Sequence, residues 1–247
     1  MSDIILTAQT APATPAAGKA DVYVDSTTKK LASKDSAGIV TDYMGQDGWI
    51  GVNWASLTRT GATTFTTSSN VSAIVQKGDK LRFTDTTTKY LNVVSAVWAG
   101  GVTTITTIAN NDYALVGHPS AMYYSKVENP QGWPGWFNYT ATMTGFSSVP
   151  TSVTSKFSII GNTCFVYHAE GVGGTSNATT FTVSLPVLAS SFIANLSIAI
   201  DNGTYVSGAV AYQDGSNPAV ANLYKSGFAG WTASGTKQTI FSAFYNY

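Results

Sequence analysis

The sequence is short of charge. Of its 247 residues 11% are charged, less than half of the roughly 25% usual in soluble domains. Glutamate occurs only at Glu128 and Glu170, histidine only at His118 and His168, and cysteine only at Cys164. Each scarcity closes a class of function. Thirteen Lys and Arg balance thirteen Asp and Glu with no basic run, so no stripe is present to neutralise phosphates and nucleic-acid binding is not expected. One cysteine cannot form an intrachain disulfide. One thiol and two scattered imidazoles give no zinc-ligand spacing, and neither a phosphate-binding loop nor a dinucleotide fingerprint occurs. No metal and no cofactor are therefore expected. No run approaches the roughly 18 apolar residues of a bilayer span, and Met1–Leu6 lacks the basic and apolar regions of a secretion signal. The expectation is a chain made in the cytoplasm and not inserted into a membrane.

Uncharged polar residues fill the gap. Ser and Thr make up about a quarter of the chain, and Thr, being β-branched, suits a pleated, half-buried surface. With long helix formers nearly absent, the class is all-β. Zero net charge removes self-repulsion and suits a protein that lives in an assembly.

Composition divides the chain. Residues 1–46 read as an extended arm with a small hairpin. Thr7–Ala20 is small and proline-punctuated, Val22–Asp25 and Lys29–Asp35 read as the two strands of the hairpin around Ser26-Thr27-Thr28, and Ile39–Gly48 reads as linker. Residues 47–128 form a small β-barrel or sandwich module. Its short strands fall at Thr63–Thr66, Lys80–Thr84, Lys89–Trp98 and Thr103–Ile108, with turns at Gly78-Asp79 and Gly100-Gly101. Residues 129–136 are a Pro/Gly linker. Residues 137–247 hold seven or eight strands separated by Gly/Asn turns, which predicts a C-terminal antiparallel sandwich of jelly-roll type. Thr204–Tyr212 reads there as one strand. The aromatic-rich Ile240–Tyr247 reads as a central or subunit-facing strand.

The titratable residues are the candidates for chemistry. A polysaccharide hydrolase needs two carboxyls flanking the bond; outside the arm and its linker the candidates are Asp79, Asp85, Asp112, Glu128, Glu170, Asp201 and Asp214. Asp201 and Asp214 read as turn residues bonding their own backbone, and Glu170 as a surface residue beside His168. A Ser–His–acid triad has only His118 and His168 to draw on, with no nucleophile elbow. Cys164, inside Cys164-Phe165-Val166-Tyr167, reads as a buried structural thiol. No catalytic residue is assigned and no enzyme is expected. The aromatics remain. Trp133 and Trp136 in the linker, and Tyr205, Tyr212 and Trp231 with Tyr224 and Phe228 further on, are candidate glycan or receptor contacts because flat rings stack on sugar faces. Packing between modules, in the core or in a trimer is the favoured alternative at each.

Several stretches resemble phage virion proteins. Ala11–Val24, followed by Lys30-Leu31 and Lys34–Gly38, resembles the N-terminal attachment segment of tail and head fibres. Asn129-Pro130-Gln131-Gly132-Trp133-Pro134-Gly135-Trp136-Phe137-Asn138-Tyr139 is similar to a domain recurring in phage structural proteins. Tyr139–Phe146, Phe157–Thr163 and Thr180–Pro186 resemble a sandwich common at fibre tips. The resemblance implies a fibre or capsid-decoration protomer on the virion surface. It implies a homotrimer anchored to capsid or tail proteins through residues 1–46, and no chemistry. A glycan- or receptor-binding tail protein is the runner-up, and a polysaccharide depolymerase the third reading.

Overall fold

Thr, Val and Ile recur at alternate positions, the period of a strand, and the computed structural model forms 22 strands among the residues it describes. It describes residues 6–27, 29–43, 47–108, 112–176, 178–213 and 215–247. The chain is all-β; one 3-10 turn at Ser226–Phe228 is the only helical turn among these residues. Contacts divide it into two compact units. The first takes residues up to Ile108 and Tyr113–Pro134; the second takes Gly135–Tyr247 with Asp112.

The first unit opens with a four-stranded sheet of β1 (Ala8–Gln9), β2 (Ala20–Asp25), β3 (Leu31–Asp35) and β4 (Val40–Tyr43), in that order. The expected hairpin is β2–β3. Around it the structure corrects the sequence reading twice. Thr7–Ala20 is not a free arm: β1 runs parallel to β2, with Ala8 opposite Val24, and Lys34 Nζ donates to the Pro12 carbonyl at 2.9 Å. Nor is Ile39–Gly48 all linker, since β4 pairs with β3 and Thr41 bridges Val52. Pairing on both sides and burial of Tyr23 against Ala32 (2% and 0% exposed) give the hairpin the support two strands alone lack.

A seven-stranded sheet follows, from β5 (Ile50–Gly51), β6 (Thr58–Arg59), β7 (Thr64–Thr67), β8 (Lys80–Thr84), β9 (Thr88–Ala99), β10 (Val102–Thr107) and β11 (Ser120–Ser125). Their order is β5-β11-β8-β9-β10-β7-β6. The twelve residues of β9 serve two partners, β8 along the first half and β10 along the second. The bulge between Thr106 and Thr107 bends the ladder there, so the sheet curls into a half-barrel. Gly100 and Gly101, at φ 58° and 82°, make the two-residue turn that returns β9 into β10. Phe65, Leu81, Phe83, Leu91 and Ile105 fill the concave side, each at 1% exposure or less, and burial stabilises by about 1.5–3 kcal/mol for each such side chain.

The second unit contains β12 (Phe137–Asn138), β13 (Met143–Thr144), β14 (Thr151–Ile160), β15 (Thr163–Val172), β16 (Gly174–Thr175) and β17 (Phe181–Ser184). β18 (Phe192–Asp201), β19 (Thr204–Tyr205), β20 (Val210–Gln213), β21 (Val220–Tyr224) and β22 (Thr236–Asn246) complete it. The main order is β12-β14-β15-β22-β18-β20-β21-β17-β13, with β16 on β22 and β19 on β18. The span Thr204–Tyr212 is therefore two strands, broken before Gly208 at φ 68°. β18 links the halves of the sandwich. Its first residues, Phe192–Asn195, pair with β20, and after a register shift at Leu196/Ile198 its last residues pair with β22. Alternation along β15 and β22 buries Cys164, Val166, His168 and Glu170 from one, and Thr239, Phe241, Ala243 and Tyr245 from the other.

Candidate functional site

The aromatic candidates separate once burial is known. Trp231 is a core residue. It is 3% exposed, its Nε1 donates to the Leu223 carbonyl at 2.8 Å, and its ring stands edge-on to Phe181 at 5.6 Å. Its burial fits packing, the favoured of the two readings given for it. Trp133 is half-buried and closes over the outer face of the first unit's sheet. Its ring lies 6.0 Å from Trp49 and 5.9 Å from Tyr90, with the Lys80 ammonium 5.5 Å from its centroid. The 129–133 stretch thus packs back onto the sheet instead of running free. Trp136 (50% exposed) and Tyr205 (76%) stay open to solvent.

Tyr212 does not act alone. On adjacent strands β20 and β21 it lies 6.5 Å from Tyr224, and Phe228 stands edge-on to both, at 5.2 and 5.6 Å. Phe228 is half exposed and sits at φ 60°, directly after Gly227 at φ 67°. A bulky residue in the left-handed region costs on the order of 1–3 kcal/mol and persists only where its surroundings hold it. The two tyrosines supply that hold. The result is a fixed, exposed three-ring surface on the second unit.

A second cluster lies on the outer face of β8, where sequence reasoning assigned nothing. Leu81 and Phe83 point to the core, so Arg82 must point out. Its cross-strand neighbours are Tyr90 on β9 and Tyr123 on β11. The guanidinium carbon stands 4.8 Å from the Trp49 ring and 4.2 Å from the Tyr123 ring. The signal was available: Lys80-Leu81-Arg82-Phe83-Thr84 is a two-residue period with an arginine at its middle outer position.

The titratable residues are structural. Ser155 Oγ lies 2.9 Å from His168 Nδ1, and His168 Nε2 lies 3.5 Å from Glu170 Oε1, which has the composition of a hydrolytic triad. All three face the interior, at 5%, 0% and 0% exposure. Glu170 is thus not the surface residue expected. It accepts the Thr239 amide at 2.7 Å and the Thr239 hydroxyl at 2.9 Å. His118 is equally occupied, its Nδ1 accepting the Arg59 amide at 2.9 Å. Burial pushes the Cys164 thiol up to about 12, far from a nucleophile's range. Asp201 departs from the turn reading: instead of its own backbone it binds Lys237, Lys225 and Thr232. Asp79 takes Lys126 at 2.8 Å and the Gln76 amide at 2.9 Å, and Asp85 takes the Val116 amide at 2.7 Å. Asp214 lies outside the described residues. Among the described residues no cluster of three His, Cys, Asp or Glu is arranged to hold a metal.

Comparison of the chain with protein-family models, with curated proteins and with solved structures found no match.

Proposed function

We propose that the chain is a non-enzymatic structural protomer of a phage virion, a head or tail fibre or decoration subunit that works as a homotrimer on the virion surface. In this reading residues 1–46 face other capsid or tail proteins and the second unit faces outward. The observation that carries it is the outer face of the second unit's central strands. Phe165 on β15 and Phe244 on β22 are cross-strand partners with rings 6.1 Å apart, and Phe244 is 71% exposed. Ile160 (46%) and Ile193 (59%) add to the apolar surface of the same unit. Leaving such rings in water is unfavourable, and further copies of the chain would cover them without charge repulsion, since the net charge is zero.

Light scattering on the purified chain tests this directly. A mass near three times 25.9 kDa is expected for the native protein, and Phe244→Lys is expected to lower it. A native chain that stays monomeric at high concentration, with Phe244→Lys indistinguishable from it, overturns the trimer.

A second reading, a glycan- or receptor-binding tail protein, is favoured by the strained Phe228 and its two tyrosines, with the exposed Trp136 and Tyr205 as further contacts. Its test is a glycan array comparing the native chain with Phe228→Gly. The depolymerase reading has no comparable support, because Asp201 and Glu170 are saturated by donors inside the fold.

A further inference from the structure

A guanidinium carries five N–H donors, and a half-buried one is normally hydrogen-bonded to oxygen. Arg82 is not. Its side chain is 22% exposed, and its one ionic partner among the described residues, Asp47, stands 3.8 Å away, beyond hydrogen-bond length. Rings hold it instead: Trp49, itself 2% exposed and fixed by Nε1 donating to the Gln131 carbonyl at 2.9 Å, and Tyr123. Stacking immobilises the planar group and leaves its donor edge without an acceptor among the described residues.

That arginine lines an open pocket of about 310 Å³ together with Phe83, Thr84, Thr88, Tyr90, Ala121 and Tyr123. Five of these seven sit at fixed register: Arg82 opposite both Tyr90 and Tyr123, and Thr84 opposite Thr88. The mouth is shaped by a bulge between Ser120 and Tyr123, where Ala121 is held at φ 45°. A non-glycine residue keeps that conformation only under constraint, and such constraints gather at binding sites. The pocket therefore offers one bidentate cation, two hydroxyls from threonine, two phenols and an aromatic wall.

We infer that this pocket binds an acidic saccharide, a single pyranose bearing a carboxylate. The carboxylate takes the Arg82 fork in two parallel N–H···O bonds. The threonine and tyrosine hydroxyls meet the sugar hydroxyls, and the apolar face of the ring lies along a tyrosine. The volume, near the lower end of ordinary ligand pockets, suits one sugar ring and not a long oligomer. Asp47 is the natural competitor: its carboxylate is the only anion near the guanidinium among the described residues, and it opposes a second one. The site lies wholly within the first unit and depends neither on trimerisation nor on the Phe228 surface.

Calorimetry and saturation-transfer NMR on the full chain test it, with D-glucuronate as probe and D-glucose and acetate as controls. Glucuronate is expected to bind, with glucose and acetate each weaker by at least about tenfold. Arg82→Gln should lose glucuronate by a similar factor. Asp47→Asn should tighten it several-fold, since it removes the competing charge while an amide oxygen can still accept the Trp49 amide, now 3.2 Å from Asp47 Oδ1. Added salt should weaken binding, as it screens a single exposed charge pair. No glucuronate binding up to its solubility limit overturns the inference. Acetate binding as tightly as glucuronate reduces the site to an anion hole and overturns the sugar assignment. Should Arg82→Gln fail to fold by near-ultraviolet circular dichroism, Asp47→Asn decides: unchanged affinity there overturns the role of Arg82.

Discussion

Lys237 and Asp201 face each other across β22 and β18 inside the second unit, Nζ 2.9 Å from Oδ1, at 1% and 6% exposure. The other carboxylate oxygen takes Lys225 Nζ at 3.0 Å and the Thr232 hydroxyl at 2.9 Å. A lysine this deep is tolerable only while the carboxylate is present. Asp201→Ala is expected to destabilise by about 3–5 kcal/mol, because it strands Lys237. The urea midpoint reads this, and a variant within about 0.5 kcal/mol of the native chain contradicts the arrangement.

The same carboxyl sets an acid limit. Burial alone would push its pKa up, but the bonds from Lys237, Lys225 and Thr232 more than offset that and hold it well below the usual carboxylate range. A depressed folded-state pKa stabilises above the unfolded value, about 3.9, and the contribution fades as pH falls below it toward the folded pKa. Urea melts between about pH 6 and 2 should show the gap between the native chain and Asp201→Asn narrowing below about pH 4. A gap that widens on acidification has the opposite sign and sinks the explanation.

Glu170 makes a different kind of demand. Glu170→Ala deletes the acceptor of the Thr239 amide and hydroxyl and leaves His168 facing a void, at a cost of about 3 kcal/mol or more. Ser155→Ala removes one neutral hydrogen bond and should cost only about 1 kcal/mol. Thermal melts of the two variants rank them, and a reversed order would contradict the network.

Cys164 should be silent in the native state. Buried at 0% exposure, with its thiol pushed up to about 12, it is shielded sterically and electronically from thiol reagents. A chromogenic disulfide reagent is expected to register no thiol until denaturant is added, then one per chain. Rapid labelling of the native protein would place Cys164 elsewhere.

Phe228→Gly separates stability from binding. It relieves a left-handed conformation worth on the order of 1–3 kcal/mol and loses two edge-on ring contacts of about 0.5–1.5 kcal/mol each. The terms roughly cancel, so the melting temperature should barely move while any glycan binding of this surface disappears. A large stability loss would mean that the ring serves packing alone.

The strands were legible because alternation survives in the residues themselves. The alternation in Lys80–Thr84 has the bounds of β8, and that in Thr103–Ile108 falls within a residue of β10. What was not legible depends on partners distant in sequence. β1 has two residues and no pattern of its own; only its pairing with β2 makes it a strand. β11, with Ala121 in a left-handed bulge, interrupts its own alternation.

The site candidates follow the same rule. Trp231 looked like Tyr205 in sequence, because nothing local tells a ring that reaches the Leu223 carbonyl from one at 76% exposure. Asp201 beside Asn202-Gly203 has every local mark of a turn aspartate. Its true partners, Lys225, Thr232 and Lys237, lie more than twenty residues away. Arg82 was overlooked for the reverse reason: its position was readable, but the two tyrosines and the tryptophan around it arrive from three other segments.

β22 is the last strand in sequence yet lies between β15 and β18. While the ribosome is still making residues 236–246, both neighbours must wait with open edges, β15 for some seventy residues of synthesis. Pairing across so long a stretch of chain makes folding slow, and open edges invite pairing with other nascent chains. Expression at low temperature and low chain density should therefore raise the yield of native protein more than any substitution on its surface.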